Sequence, residues 1–579
     1  MKKYLIILTV FFLPQVANAA ARACTSSESW ENLELPKQWR ERYSKYISGR
    51  YSPMQGMAFA RQLRKESTTR FEDLFSQYWI SHSLQRAELY PLALDGFNKL
   101  LKTLPKGSTY NEIREASFLC VTQVHHHKPA RRLSKSLYSS WRQLPSSPLK
   151  DYLAFRWALE QKNYKTALKS ISPESPLKHL VGALKDWKNR DWKDGAAKMD
   201  QYFMAPSSNP YVRSQVDLWR IFAARLHFSA STFSKAEKYL AKVDKRANAL
   251  VPALTELAWT QLKAGQYNAA IGTSLSLQTG WLQSTYSPES IMVMSMAFNE
   301  TCYYPEAMRS LDLLKRQYGP VQAWLKGHKK LKGSELYEEL KLSLKKEGDV
   351  PFRLSSEWIR SPIYLSRQEE VNHLIQQGSF ARKLEDQTKV LQGEMVADLL
   401  KQVREVRLEI ERFQAASPTS VNLPPEIAKR LNTLRSSLEE YDSLRSFAPV
   451  WKLVKRSNKK TSAKRQGVLL REIHAHIKNV NRRVSSQIND INDNIKFVEI
   501  EVYQGATQDV IFSNANPDFS KKISELKKKK GFKLKSDEMR WGSISTSQLG
   551  QSEIWEDELG GFKADLPNKC NKARVAKGN

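Results

Sequence analysis

The apolar positions in the first half of the chain recur in a fixed frame. In Tyr90, Ala93, Phe97, Leu100 and Pro105 an aromatic residue is followed three positions later by a small one, then by two large apolar residues and a helix-stopping proline. The frame returns at Tyr164, Ala167, Ile171, at Phe233, Ala236, Leu240, Val243, at Tyr267, Ala270, Ser274, Leu277, and at Tyr304, Ala307, Leu311, Leu314. Degenerate copies centre on Ala130 and Ala196. The seven small residues, Ala93, Ala130, Ala167, Ala196, Ala236, Ala270 and Ala307, are spaced 37, 37, 29, 40, 34 and 37 apart. Residues three and four apart share a helix face, so each frame predicts a helix whose small residue lets a partner helix cross closely. Preceding helices supply the other half of each unit, as in Leu254, Leu257, Ala258 and Gln261, or Ile291, Met294, Ser295 and Phe298. One such hairpin cannot hide its own apolar stripe, whereas a stack of them can.

A repeat of about 34 residues built on this frame resembles the tetratricopeptide helix pair. The resemblance covers residues 70–318, is best at 254–277 and 291–314, and implies a protein-interaction scaffold with no chemistry of its own. The alternative is an α-helical bundle without a repeat. The predicted fold is all-α: a solenoid of helical hairpins at 70–318, after an N-terminal helical segment at 20–69 and before a helical connector at 319–366.

From residue 367 the frame gives way to heptads. Val396, Leu399, Val403, Val406, Ile410 and Phe413 step by three and four, as do Leu470, Ile473, Ile477, Val480 and Val484, continuing through Ile488, Ile491, Ile495 and Val498. A shorter seam, Ile427, Leu431, Leu434, Leu438 and Tyr441, is bounded by Pro425 and Pro449. Such seams are stabilising when helices pack along their length. They predict an antiparallel, coiled-coil-like arm at 367–512 made of two long helices and one shorter one, with self-association through the same seams as the competing outcome. The basic run 451–465, with seven Lys or Arg and no acid, falls on the predicted connection between helices. A second run, 519–535, has eight Lys and one Glu, and reads as a strap. Residues 513–579 are therefore a basic strap followed by an irregular tail, whose Trp555, Glu556, Asp557, Glu558 and Phe562 predict docking back onto basic helices, pinned at Cys570.

Composition narrows the class. Glycine is about 4% of 579 residues, too low for a phosphate-cradling α/β enzyme or an all-β chain, which favours helices. The segment 1–19, MKKYLIILTVFFLPQVANA, has two lysines, a short apolar run and Ala17-Asn18-Ala19, the pattern of a secretory signal cleaved after Ala19. Cys24 lacks the upstream aliphatic residue that lipid attachment needs, so lipidation is the lesser alternative. Export makes disulfides available. Cys24, Cys120, Cys302 and Cys570 allow three pairings, of which Cys24 with Cys120 and Cys302 with Cys570 is preferred. The formal charge of +32, about +30 once Lys2 and Lys3 leave with the signal, would point to nucleic acid in the cytosol. In an exported chain it points instead to lipid headgroups, lipopolysaccharide, cell-wall polymers or acidic protein surfaces, and no nucleic acid is expected. The candidate contacts are Lys452, Lys455, Arg456, Lys459 and Lys460, with Lys527, Lys528, Lys529 and Lys530.

The residues offer little chemistry. His125, His126 and His127 diverge by about 100° each on a helix and cannot close on one metal, and His474 and His476 point to nearly opposite sides of theirs. There is no nucleophile elbow, zinc-binding H-E-x-x-H pair or phosphate-binding loop. Glu289 and Ser290 fit the start of the lytic transglycosylase motif, but they open the helix of Ile291, Met294 and Phe298, where helix initiation explains the glutamate. No cofactor is expected. The segment EIEVYQGATQDVIF at 499–512 and the C-terminal tail resemble exported tetratricopeptide proteins of gliding and predatory bacteria, some of which belong to envelope motility machineries. The expectation is a non-catalytic periplasmic scaffold that binds an acidic protein or peptide in the cell envelope. The alternatives are a peripheral binder of anionic lipid, lipopolysaccharide or cell wall, and third a peptidoglycan-lytic enzyme.

Overall fold

A computed structural model describes residues 35–127, 141–416 and 423–515, together with Ala564, Leu566, Asn568 and Cys570. Among the described residues all regular structure is helical, with twenty α-helices and no strand. They divide into two units. The first takes residues up to 161 and 366–470 and holds α1 (Lys37–Ile47), α2 (Pro53–Glu66), α3 (Arg70–Arg86), α4 (Tyr90–Thr103), α5 (Asn111–His127) and α6 (Pro148–Gln161). The second takes 162–365 and the residues from 471, and holds α7 (Tyr164–Ser170), α8 (Pro176–Asn189), α9 (Trp192–Met204), α10 (Pro210–Arg213), α11 (Val216–Ser229), α12 (Phe233–Leu240), α13 (Leu250–Lys263), α14 (Tyr267–Ser276), α15 (Pro288–Glu300), α16 (Tyr304–Gly327), α17 (Gly333–Leu344) and α18 (Phe352–Arg360). Two long helices, α19 (Pro362–Ala416) and α20 (Pro425–Ala515), contribute to both.

One turn design is used six times. The chain passes from helix to helix at Glu88, Lys162, Arg190, Ser231, Gly265 and Cys302, all in the left-handed region with φ between 52° and 73°. At five of them the next amide donates to the carbonyl five residues back, Leu89 to Leu84, Asp191 to Asp186, Thr232 to His227, Gln266 to Gln261 and Tyr303 to Phe298, at 2.8–2.9 Å. That bond satisfies a carbonyl which the helix end would otherwise leave open. Two positions after each left-handed residue stands an aromatic ring: Tyr90, Tyr164, Trp192, Phe233, Tyr267 and Tyr304. Five positions after it stands a small residue: Ala93, Ala167, Gly195, Ala236, Ala270 and Ala307. The fourth copy of the sequence frame is corrected here, because its crossing residue is Gly195 and not Ala196. A Cβ on Gly195 would lie 2.8 Å from Leu226 Cδ2, so α9 meets α11 too closely for a side chain.

Ala93, Ala167, Ala236, Ala270 and Ala307 have no exposed surface, Ala196 is buried, and Ala130 lies outside the described residues. Neighbouring helices pack across these positions, α3 on α4, α8 on α9, α11 on α12, α13 on α14 and α15 on α16, and each pair also meets the next, as α12 meets α13 and α14 meets α15. One core cluster runs through Ile221 of α11, Ala236 and Leu240 of α12, and Leu254 and Leu257 of α13. Each buried leucine there contributes about 1.5–3 kcal/mol, and a lone hairpin would leave that stripe in water.

In the first unit, α1 and α3 join through aromatic edges. Tyr43 stands edge-on to Phe75 and Trp79, with ring centroids 4.9 and 5.0 Å apart. His82 is buried beside them, its Nδ1 3.3 Å from the Tyr46 hydroxyl. Burial, with the Arg86 charge nearby, holds the imidazole neutral and pushes its pKa down to about 3. Along α19 and α20, partners descend on one helix as they rise on the other: Arg430 with Glu409, Lys455 with Glu385, Ser462 with Gln377, Arg465 with Glu370. The two helices are therefore antiparallel over this stretch.

The expected third, shorter helix is absent. Pro449 lies inside α20, which continues through the basic run at 451–465, so that run is helix and not a connection. A proline inside a helix removes one hydrogen bond and costs on the order of 3 kcal/mol. The apolar seam offsets this, with Leu444, Phe447, Trp451 and Leu469 buried on both sides of it. The expected arm at 367–512 is also not a body of its own, since its two parts belong to different units. In the second unit, the stripe from Ile473 to Val498 is buried against the short helices and not against a long antiparallel neighbour. Trp358 Nε1 donates to Asn481 Oδ1 at 2.6 Å, the Tyr286 hydroxyl to Gln487 Oε1 at 3.1 Å, and a Cβ on Gly333 would lie 2.6 Å from the His474 carbonyl oxygen.

The described tail residues lie on the same unit. Cys570 is bonded to Cys302 with an S–S distance of 2.06 Å, across 268 residues. The Ala564 amide donates to the Asn268 carbonyl at 3.0 Å, and Asn268 Nδ2 donates to the Leu566 carbonyl at 2.9 Å. These residues thus fasten to the α13–α14 and α15–α16 turns, while Trp555, Glu556, Asp557, Glu558 and Phe562, expected to dock onto basic helices, lie outside the described residues. Cys24 lies outside the described residues, and Cys120 is buried with its Sγ 3.9 Å from the Tyr78 hydroxyl.

Three outcomes follow from these contacts. Gly265→Ala destabilises the chain by about 1 kcal/mol through the backbone alone, as nothing lies within 4 Å of the added Cβ, while Arg190→Gly is neutral or stabilising; urea midpoints read both. Cys302→Ser lowers the stability of the second unit by on the order of 2–4 kcal/mol and speeds hydrogen exchange of the Ala564 amide at least tenfold relative to the oxidised chain. Because the His82 pKa is lower folded than unfolded, its contribution is complete above about pH 6.5 and is lost as pH falls toward 3, at up to about 1.4 kcal/mol per pH unit. The slope of stability against pH between 6.5 and 4 is therefore shallower in His82→Phe than in the parent.

Candidate ligand-binding cavity

The second unit contains a cavity of about 450 Å³, within the range of sites for small ligands and short peptide segments. Its floor is apolar: Leu275 from the end of α14, Met294 from α15, and Leu313 and Val321 from α16, all buried. Its rim carries two guanidiniums, Arg316 on α16 and Arg353 on the first turn of α18, with Gln317 between floor and rim and Phe352, 58% exposed, at the mouth. None of the lining residues is an Asp or Glu.

Local sequence explains how the rim is held. Pro351 opens α18 with φ fixed at −53°, which turns the chain so that Arg353 reaches back toward the α14–α15 connection. Its Nη2 donates to the Gln283 carbonyl at 2.7 Å, and its guanidinium stands 5.8 Å from the centroid of the Tyr318 ring. Tyr318 is buried, and its hydroxyl accepts from the Ser287 amide at 2.9 Å. Arg353 is thus positioned by three elements before any ligand arrives. Leu313, Arg316, Gln317, Pro320 and Val321 share one side of α16 by their three- and four-residue spacing. Pro320 has no amide to give the Arg316 carbonyl, so this side of α16 also presents a backbone acceptor that its own helix cannot satisfy.

Two buried polar atoms here have no hydrogen-bond partner among the described residues: Arg353 Nε, a donor, and Gln317 Oε1, an acceptor. Buried polar groups are normally paired, because an unpaired one costs about 1–3 kcal/mol. Both atoms are closed off from the cavity, so a ligand there meets the two guanidiniums and the apolar floor, a match for a carboxylate beside an apolar group.

The residues singled out by the sequence lie elsewhere. Ala93, Ala167, Ala236, Ala270 and Ala307 are buried at helix crossings and do not line this cavity, Ala196 is buried next to Gly195, and Ala130 and Lys527 to Lys530 fall outside the described residues. Lys452, Lys455, Arg456, Lys459 and Lys460 sit on α20 in the first unit. Glu289 opens α15 and its Oε1 accepts from Gln487 Nε2 at 2.5 Å, a tie between helices. His474 lies with its ring 5.4 Å from that of Tyr337. The side chains of His125, His126 and His127 lie outside the described set.

A second cluster escaped the sequence reading as well. Asp200 of α9 accepts from His227 Nε2 at 3.0 Å, from Lys235 Nζ at 2.7 Å and from the Tyr239 hydroxyl at 2.7 Å, while His227 Nδ1 stands 2.8 Å from Thr232 Oγ1. Burial disfavours the Asp200 charge, but Lys235, Tyr239 and His227 outweigh it and hold the carboxyl below the usual range. The Thr232 hydroxyl also lies 3.0 Å from the His227 carbonyl, which ties this chain of groups into the α11–α12 turn. The cluster fastens that turn to α9.

Arg316 and Arg353 had no sequence signal, for they stand 37 positions apart among 92 lysines and arginines. Only the return of α18 onto the α14–α16 stack brings them together. In comparisons with known proteins, no family model, no curated protein and no solved structure matches this chain.

Proposed function

We propose that this protein is a non-catalytic scaffold of tetratricopeptide-like helical hairpins that works outside the cytoplasm, in the cell envelope, and binds a segment of a partner protein. The observation that carries this reading is the cavity rim: two guanidiniums over an apolar floor, with no carboxylate of the chain's own among the lining residues. The matching ligand is an acidic peptide segment with an apolar side chain beside its carboxylate. The apolar group fills the floor and supplies affinity, while the carboxylate meets Arg316 and Arg353 and sets orientation. The stacked hairpins support this reading too, because they hold the α14, α15, α16 and α18 contributions to the cavity on packed helices and not on long loops.

Fluorescence anisotropy with a labelled ten-residue peptide of alternating Leu and Glu tests it, with Gln in place of Glu as the control. The acidic peptide binds at 150 mM salt and the Gln peptide binds more weakly. Arg316→Gln and Arg353→Gln each weaken binding about tenfold or more, the worth of one charged hydrogen bond. Arg353→Lys keeps the charge but loses the fork, and recovers only part of the affinity. Equal binding of the two peptides, unaffected by either arginine substitution, overturns the reading.

A further inference from the structure

The basic run of α20 does more than continue a helix. From 443 to 471 the sequence holds nine Lys or Arg and no Asp or Glu. Two of these cations are spent internally: Lys455 Nζ lies 2.6 Å from Glu385 Oε2, and Arg465 Nε lies 2.9 Å from Glu370 Oε1. Arg445, Lys452, Arg456, Lys459, Lys460 and Lys464 are exposed and lie in no ion pair among the described residues.

Their angular placement is not random. At about 100° per residue, the buried Leu444, Phe447, Trp451, Asn458, Ser462 and Leu469 occupy a sector of roughly 60°. The six exposed cations fall on an arc of roughly 140° on the opposite side, along about 29 Å of helix. Leu453, 62% exposed, lies within that arc, beside Lys452 and Arg456. Solubility alone is served by interspersed charges of both signs, whereas an acid-free basic face is the electrostatic complement of an extended anionic surface. An apolar side chain in its midst fits a surface with an oily layer beneath its anionic groups.

We propose that the outward face of α20 from Arg445 to Lys464 docks flat on an anionic phospholipid bilayer, with the six cations at the headgroups and Leu453 inserted between them. The site is separate from the cavity and independent of what the cavity binds.

Co-sedimentation of the full chain with vesicles tests this, using 30% phosphatidylglycerol in phosphatidylcholine against pure phosphatidylcholine. The parent pellets with the anionic vesicles and stays in solution with the neutral ones, and added salt weakens binding. Each Lys or Arg near an anionic surface contributes about fivefold in partition, so the combined Lys452→Gln, Arg456→Gln, Lys459→Gln, Lys460→Gln and Lys464→Gln variant binds at least a hundredfold more weakly. Leu453→Asn reduces binding severalfold with the charge unchanged, while Lys455→Gln, whose cation already faces Glu385, has little effect. Circular dichroism and anisotropy with the acidic peptide check that the variants are folded and the cavity intact. Undiminished vesicle binding by the five-site variant overturns the proposal. So does full sensitivity to charge with none to Leu453, which would make the face a general polyanion contact.

Discussion

The constraint on which this architecture depends is the close crossing of helices five residues after a left-handed turn. A helix end leaves carbonyls open, and the turn at Glu88, Arg190, Ser231, Gly265 or Cys302 closes one of them while reversing the chain. The reversed helix then packs on its predecessor through a small residue, an alanine or Gly195. Five of the six left-handed positions are not glycine, so each unit accepts a backbone cost of about 1 kcal/mol. Repetition of one geometry, with the burial that stacking brings, offsets that cost.

Much of this was legible in the chain. The aromatic-to-small spacing that predicted hairpins is the spacing between the first helical residue after the turn and the crossing point. What could not be read was the turn residue, since Glu, Lys, Arg, Ser and Cys carry no local preference for positive φ. The copy at 196 was misread by one position for this reason: without the turn at Arg190 to set the count, two adjacent small residues, Gly195 and Ala196, are equivalent in sequence. The arm was misread for another reason. Heptads report that a stripe will be buried and not what will bury it. The stripe at 473–498 lies on short helices as readily as on a long one. Pro449 was treated as a boundary because its local cost is certain, whereas the burial of Trp451 and Phe447 that offsets it becomes visible only once the partner helix is placed.

Two kinds of charged surface emerge, with different physical logic. At the cavity, Arg353 is held by its neighbours and stands with Arg316 over an apolar floor, an arrangement suited to one ligand in one orientation. On α20 the cations are many, exposed and spread on an arc, which suits a surface with no fixed register. A high net positive charge in composition does not distinguish these cases. Separation of paired from unpaired cations does, and it removes Lys455 from the candidate contacts of the basic run.

The bond between Cys302 and Cys570 imposes an order on biosynthesis. The first thiol emerges from the ribosome 268 residues before its mate, so during all of that elongation the α15–α16 turn exists with an unclosed sulfur. The hairpins around it, whose contacts are local, are free to assemble in the meantime. The staple therefore closes across helices whose own packing is local and does not depend on it.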